Sequence, residues 1–392
     1  MYDGQIVFAQ LMARVPRHSF NTCVRRYHGQ RRVRRFSCRD QFLCMAFAQL
    51  TSRDSLRDIE TCLRAMGAKL YHAGFRVPGG RVSRSTLADA NEQRDWRIWA
   101  DLAAVLIEQA RRLCASDAMI VTLDQTVYAF DSTTIDLCLS LFPWAQFRRR
   151  KGAVKLHTLI DLRGNIPCFI RMTHGKVHDV KALDYLPIEP GAYYVMDRGY
   201  VDYARLHRFE RAKAFFVIRA KKNMDFTVIA SRPVDKATGL RCDQTITLCG
   251  VKSAKDYPDR LRRIRYTDPT TGKRLVLLTN CFCLDALTIT RLYKARWQVE
   301  LFFKWIKQHL RIKAFYGTSP NAVKTQVWIA VCVYVLVTMV AKEQAIARNP
   351  SEILQILGIM LFEKVPMNQA LAAEYENVPE TEDHNQLPLF DF

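Results

Sequence analysis

One stretch limits what this chain can fold into more than any other: Leu292 to Lys313, LYKARWQVELFFKWIKQHLRIK. Tyr293, Arg296, Glu300 and Lys307 fall at i, i+3, i+7 and i+14, so on a helix they share one stripe roughly 21 Å long. Trp297, Leu301, Phe302, Phe303, Trp305 and Ile306 surround that stripe, which predicts a long helix packed over much of its surface against an apolar layer. A carboxylate in such surroundings needs a partner, because burying an unpaired charge costs several kcal/mol. Glu300 can meet its own Arg296, or a cation supplied from outside.

Charge narrows the choice of external partner. The 392 residues carry 59 basic and 38 acidic side chains, a net charge of +21, which is the electrostatic footprint of a polyanion binder. The densest basic segment, RRYHGQRRVRR from Arg25 to Arg35, holds six arginines beside Tyr27 and His28. Arg31, Arg32, Arg34 and Arg35 are therefore expected to grip phosphates with their guanidinium forks. The twelve cysteines form no CxxC pair, and several sit in apolar runs, which fits a reducing, cytoplasmic setting. No secretory signal opens the chain, and the longest apolar run, Trp328 to Ala341, is short for a bilayer span and reads as a core helix.

Along the chain, residues 1–80 read as helical. Phe8, Leu11, Met12 and Val15 mark a first helix ending before Pro16, and residues 40–66 read as two helices around a turn at Thr51 to Asp54. Ser55 and Asp58 have capping-box spacing at the start of the second. A helical hairpin beside a basic arm points to a DNA-binding module. Pro78, Gly79 and Gly80 form a linker, and residues 81–118 hold one long helix from near Thr86 to Leu113. From Met119 the period becomes that of strands: MIVTL, TVYAFD, VKLHTLID, IPCFIRMTH, YYVMD and AFFVIRA, with a helix around Tyr203 to Ala212, predict a mixed sheet over 119–223. FTVIA, DQTITLCG, LRRIRYT and KRLVLLTN follow without an intervening helix and read as a separate β-rich insertion at 224–280. Residues 281–373 read as helical, and the acidic, proline-punctuated 374–392 as a disordered tail.

Two aspartates are expected at strand ends, Asp131 closing VYAF and Asp197 closing YYVM, where side chains of an open sheet project from its core. With Glu300 they make a set of hard oxygen donors suited to Mg²⁺, and two such ions can activate a water or a 3′-hydroxyl for in-line attack at phosphorus. Asp124, Asp136 and Asp161 are rival carboxylates, Asp124 foremost because it too ends an apolar run. His174 and His178 have no matching cysteine or third histidine, which argues against zinc.

The spacing Tyr293, two residues, Arg296, three residues, Glu300, six residues, Lys307 resembles the Y-(2)-R-(3)-E-(6)-K signature of bacterial transposases of the insertion sequence 4 family. The resemblance runs back through Asp197-Arg198-Gly199-Tyr200, His178-Asp179 and Asp131-Ser132-Thr133, to Asp54-Ser55-Leu56-Arg57-Asp58 and Leu87-Ala88-Asp89-Ala90-Asn91. It implies an α/β fold: an RNase H-like mixed-sheet catalytic core with a β-rich insertion, preceded by an all-helical DNA-end-binding region. It also implies a catalytic and metal-binding triad of Asp131, Asp197 and Glu300 holding two Mg²⁺ ions, with Mn²⁺ as the expected substitute. Tyr293, Arg296, Lys307 and Arg198 would contact DNA near the cut. Relatives that form a DNA hairpin stack a flipped base on a tryptophan of the insertion, whereas this insertion has none and offers Phe226, Tyr257, Tyr266 and Phe282.

The function so implied is cut-and-paste transposition by a bacterial, nucleoid-associated homodimer on paired double-stranded DNA ends. The alternatives are an RNase H-like nuclease without strand transfer and a catalytically inactive DNA-binding derivative. Gln386, Leu387, Leu389 and Phe390 resemble the QLxLF-type peptide by which bacterial proteins dock onto the replication sliding clamp.

Overall fold

The computed structural model of the protein describes residues 4–31, 33–77, 81–115, 117, 123–148, 151–309, 315–346 and 348–372. Arg32, the strand expected at MIVTL, the far end of the signature helix and the tail peptide Gln386, Leu387, Leu389 and Phe390 lie outside the described residues.

Among the described residues of the amino-terminal region the regular elements are all helices: α1 (Val7–Met12), α2 (Arg17–Arg26), α3 (Cys38–Leu50), α4 (Leu56–Ala65), α5 (Gly67–Leu70), α6 (Arg84–Gln93) and α7 (Arg97–Leu113). Helices α3 and α4 flank the expected turn, and Ser55 caps α4 by accepting from the amide of Asp58. The full reciprocal capping box lies one helix earlier, between Ser37 and Asp40. The single long helix expected after Thr86 is instead two. Arg94 is extended between α6 and α7, where its guanidinium donates to the carbonyls of Phe36 and Ser37 and to Gln41. The side-chain amide of Asn321 donates to the carbonyls of Asn91, Glu92 and Arg94 at 2.7–3.1 Å. A helix end whose orphan carbonyls are taken up in this way gains nothing by continuing.

A ten-stranded sheet follows: β1 (Val127–Leu137), β2 (Gln146–Arg148), β3 (Lys151–Asp161), β4 (Ile166–His174), β5 (Tyr193–Met196), β6 (Phe215–Arg219), β7 (Phe226–Arg232), β8 (Leu240–Leu248), β9 (Leu261–Thr267) and β10 (Arg274–Thr279). Helices α8 (Tyr203–Arg211) and α9 (Val251–Asp256) are interspersed. Strands β4, β3 and β1 pair antiparallel, β5 joins β1 parallel, and β6 joins β5 parallel. This mixed sheet is consistent with the expected RNase H-like core.

Two expectations change here. The strands of 226–279 form, but not as a separate body: β10 pairs antiparallel with β6, so β10, β9, β8 and β7 continue the core sheet. Those runs are not free of helix either, since α9 lies between β8 and β9; antiparallel pairing lets the sheet grow sideways from β6 all the same. Nor does Asp131 close a strand. Strand β1 runs on to Leu137 because its antiparallel partner continues, Leu137 opposite Gly152, while the parallel partner β5 stops at Met196 opposite Phe130.

The remaining helices are α10 (Ala286–Ala295), α11 (Trp297–His309), α12 (Pro320–Glu343), α13 (Pro350–Met360) and α14 (Met367–Ala372). Helix α12 is long and apolar enough to cross a membrane by length and composition, yet its most apolar window is 83% buried in the protein, against α7, α3 and α6. One core joins these helices to the β1–β3–β4 face that bears Ala129, Leu156 and Ile160. A second lies on the opposite face under α8, and a third seats α10 on β5, β6, β9 and β10. The catalytic-signature helices thus roof the face of the sheet on which odd-numbered residues of β1 and β5 point, the face of Asp131 and Asp197.

Candidate active site

Parallel pairing in register places Phe130 beside Met196, so the next residues, Asp131 and Asp197, leave the paired region together. The helices above them supply the other side. The expected single helix divides at Arg296, which lies between the last residue of α10 and the first of α11. From that junction the guanidinium forks: Nη1 reaches Asp131 Oδ2 at 2.6 Å and Nη2 reaches Glu300 Oε1 at 2.6 Å. One turn earlier, the hydroxyl of Tyr293 donates to Asp197 Oδ1 at 3.2 Å. Asp131 and Glu300 are thus joined through Arg296, and Asp197 is held separately by Tyr293. Of the two partners open to Glu300, the structure shows its own Arg296.

Burial is the main cause that pushes the Asp131 carboxyl up to about 6, and the negative charges of Asp197 and Glu300 add to it against the pull of Arg296 and of the Ser132 amide. Burial and the Asp197 charge likewise push Tyr293 up to about 12, keeping it a neutral hydroxyl donor. Glu300 is more open than the semi-buried position expected: its side chain is 58% exposed, and Trp297 and Leu301 on the same side of α11 are exposed at 51% and 39%. The apolar surface of that helix is therefore only partly consumed by the core.

Among the described residues no three His, Cys, Asp or Glu side chains are grouped closely enough to hold a metal as they stand. Arg296 stands between two of the three carboxylates, its guanidinium spanning Asp131 and Glu300. In donor chemistry the site nevertheless suits a hard divalent cation, since three oxygen donors crowd their negative charges together at a half-buried position. His174 instead packs its ring edge-on against Trp144, and Asp161 pairs with Arg111. Asp124 lies in a bend outside the sheet.

The remaining candidates spread out. Arg198 follows Asp197 directly and is exposed. Lys307 is half-buried two turns beyond Glu300 on α11. Arg31, Arg34 and Arg35 line a different cleft, about 830 Å³ in volume, with Tyr27, His28 and residues of α6. Of the insertion aromatics, Tyr257 and Tyr266 are buried, Phe226 is half-buried under Arg263, and Phe282 is 40% exposed beneath Arg232. Only Phe282 presents substantial ring surface.

One basic residue escaped the sequence reading. Arg219 ends β6 beside the end of β5, Ile218 opposite Met196, on the face of Tyr293, whose hydroxyl it also influences. A clue was present in AFFVIRA, where an arginine closes an otherwise apolar strand just before Lys221 and Lys222.

The family profile described as Transposase DDE domain matches residues 122–336, and one described as a domain of unknown function (DUF4372) matches residues 3–76. The chain is 33% identical over 301 residues to a protein of Sinorhizobium fredii described as transposase y4zB, an alignment covering 73% of this chain and 82% of that one. It is 30% identical over 258 residues to a Geobacillus stearothermophilus protein described as the transposase for insertion sequence element IS5377, covering 65% and 67% respectively. A cryo-EM structure of the piggyBac transposase synaptic complex with hairpin DNA superposes with a TM-score of 0.46 and 12% identity over 96% of this chain and 83% of that one. The extent of the first match, over more than half of the chain, and the 33% identity to a relative covered to 82% of its length place this chain in the DDE transposase family.

Proposed function

We propose that this transposase works by cut-and-paste: it binds the terminal inverted repeats of an insertion sequence of the insertion sequence 4 family, cleaves those ends, and transfers the 3′-hydroxyls to target DNA. The observation that supports this reading is the pairing of Arg296 with Asp131 and Glu300 and of Tyr293 with Asp197, with the signature spacing intact. The strand order, with two parallel strands beside three antiparallel ones, supports an RNase H-like core.

In this reading Asp131, Asp197 and Glu300 would hold Mg²⁺. When bound, such ions supply Lewis acidity and lower the pKa of a coordinated water or hydroxyl. The protein's own part is positioning. Tyr293 orients the Asp197 carboxylate through its hydroxyl. Arg296 neutralises two carboxylates and offers a planar fork that a DNA phosphate can take up bidentately, and Arg198, Arg219 and Lys307 surround the approach. Arg31, Arg34 and Arg35 bind the repeat DNA away from the cut. A homodimer on paired ends and docking of the tail onto the sliding clamp complete the proposal.

The decisive experiment combines two substrates. Wild type is expected to cut repeat-bearing DNA with Mg²⁺, and Asp197→Asn to be inactive by three orders of magnitude or more, on the order expected for loss of an essential charge. Cutting that survives the substitution would refute the triad. Pre-cleaved ends offered with a target plasmid should yield joined product, and a nuclease without strand transfer would leave the ends free.

A further inference from the structure

The link between β10 and α10 contains the closest approach of two thiols among the described cysteines. Cys281 and Cys283 place their sulfurs 3.4 Å apart, with the Tyr193 hydroxyl 3.7 and 3.8 Å from them. The two differ in access: Cys281 is fully buried and Cys283 is exposed. They also differ in anchorage. The amide of Cys281 donates to Thr279 Oγ1 at 3.0 Å, and its carbonyl accepts from the buried guanidinium of Arg262 at 3.2 Å. That guanidinium is itself fixed by two 2.8 Å bonds to Asp243. Two residues beyond Cys283, Asp285 caps α10 by accepting from Thr288 at 2.9 Å.

From this geometry we propose that Cys281 and Cys283 form a reversible dithiol site, a place where a low-molecular-weight disulfide oxidises the protein and thereby alters the amino-terminal cap of α10. The exposed thiol reacts first. The Cys283 thiolate attacks one sulfur of RSSR, forming a mixed disulfide and releasing one RS⁻. The Cys281 thiolate then attacks the Cys283 sulfur, closing the Cys281–Cys283 bond and releasing the second RS⁻. Two protein thiols are oxidised, one small disulfide is reduced to two thiols, and the two protons lost by the protein end on the two RSH. Burial, which holds the Cys281 thiol above its usual range, suits it to the second, intramolecular step and not to the first. Bond formation must draw the sulfurs closer than they now stand. Arg262 Nη1 ties the carbonyls of both Cys281 and Leu284, at 3.2 and 2.5 Å, so the adjustment falls on Cys283 between them and is passed through Leu284 to Asp285. The cap of α10 is the structure that yields. A small dithiol reverses the reaction by the same exchange.

Full-length protein incubated with oxidised glutathione tests this by peptide mapping and by amide hydrogen exchange, neither of which depends on DNA. The expected product is a peptide in which Cys281 and Cys283 are joined, lighter by two hydrogens and resistant to alkylation, with faster exchange in the first turn of α10 that returns to its starting rate after dithiothreitol. C281S should stop at the mixed disulfide on Cys283, and C283S should leave Cys281 alkylated only after denaturation. If both thiols stay free under oxidation, if Cys283 keeps its glutathione in the wild type, or if the bond closes with no change in α10 exchange, the proposal is wrong.

Discussion

Arg296 shows how one side chain can serve two incompatible neighbours. A buried aspartate and an exposed glutamate share its fork, and the aspartate still remains above the usual carboxylate range because burial and two other carboxylates outweigh a single guanidinium. The sign of the linkage follows. With a folded value of about 6 against an ordinary 3.8, Asp131 favours the folded state fully only below about pH 4, and that contribution is lost as pH rises through 6. Asp131→Asn removes the titration. Denaturant unfolding of the two proteins in chelator should therefore show wild type losing about 2 kcal/mol relative to the variant between pH 4 and pH 7. A difference that stays flat over that range would place Asp131 in a more ordinary environment.

Elements are where the sequence was legible in kind and misleading in extent. Helix spacing places Tyr293, Arg296 and Glu300 on one side, and although the helix divides at Arg296 they do reach the two aspartates, because a helical period is a local property of the chain. The continuation of β1 past Asp131 was not legible, since it depends on pairing with β3, from Ser132 opposite His157 to Leu137 opposite Gly152. The break between α6 and α7 was hidden for the same reason: the residue that ends α6 is Asn321, over two hundred positions later. Asn321→Ala should cost about 2 to 4 kcal/mol, as three carbonyls at a part-buried helix end lose their donor at once. Thermal unfolding would measure it, and a change below about 0.5 kcal/mol would mean that water replaces the amide without loss. Burial along α11 was misjudged for a different reason, because an aromatic run can pack inward or be presented to a ligand, and Trp297 is half outside.

At the scale of the whole molecule, two basic regions stand on one frame, the arm lining its own cleft and the cluster of Arg198 and Arg219 beside the carboxylates. A chain of net charge +21 should bind DNA with a steep salt dependence, and the two regions should be separable by it. Replacing Arg34 and Arg35 together by Ala should reduce the slope of log K against log salt by roughly 1.8 on duplex repeat DNA. Cleavage of DNA held at saturation should be little changed by the pair. An unchanged slope would remove the arm from the binding surface. The same frame bears on how the strands of 226–279 can be used. Because β10 is hydrogen-bonded along β6, and β6 along the strand that ends at Asp197, those outer strands are not a passenger that can be trimmed away or swung aside on a hinge. Cutting them out would bare a central strand's row of amides and carbonyls to solvent, and the shortened protein would seek another edge to stick to. The insertion is best regarded as the selvedge of the fabric, woven from the same threads as the cloth it keeps from fraying.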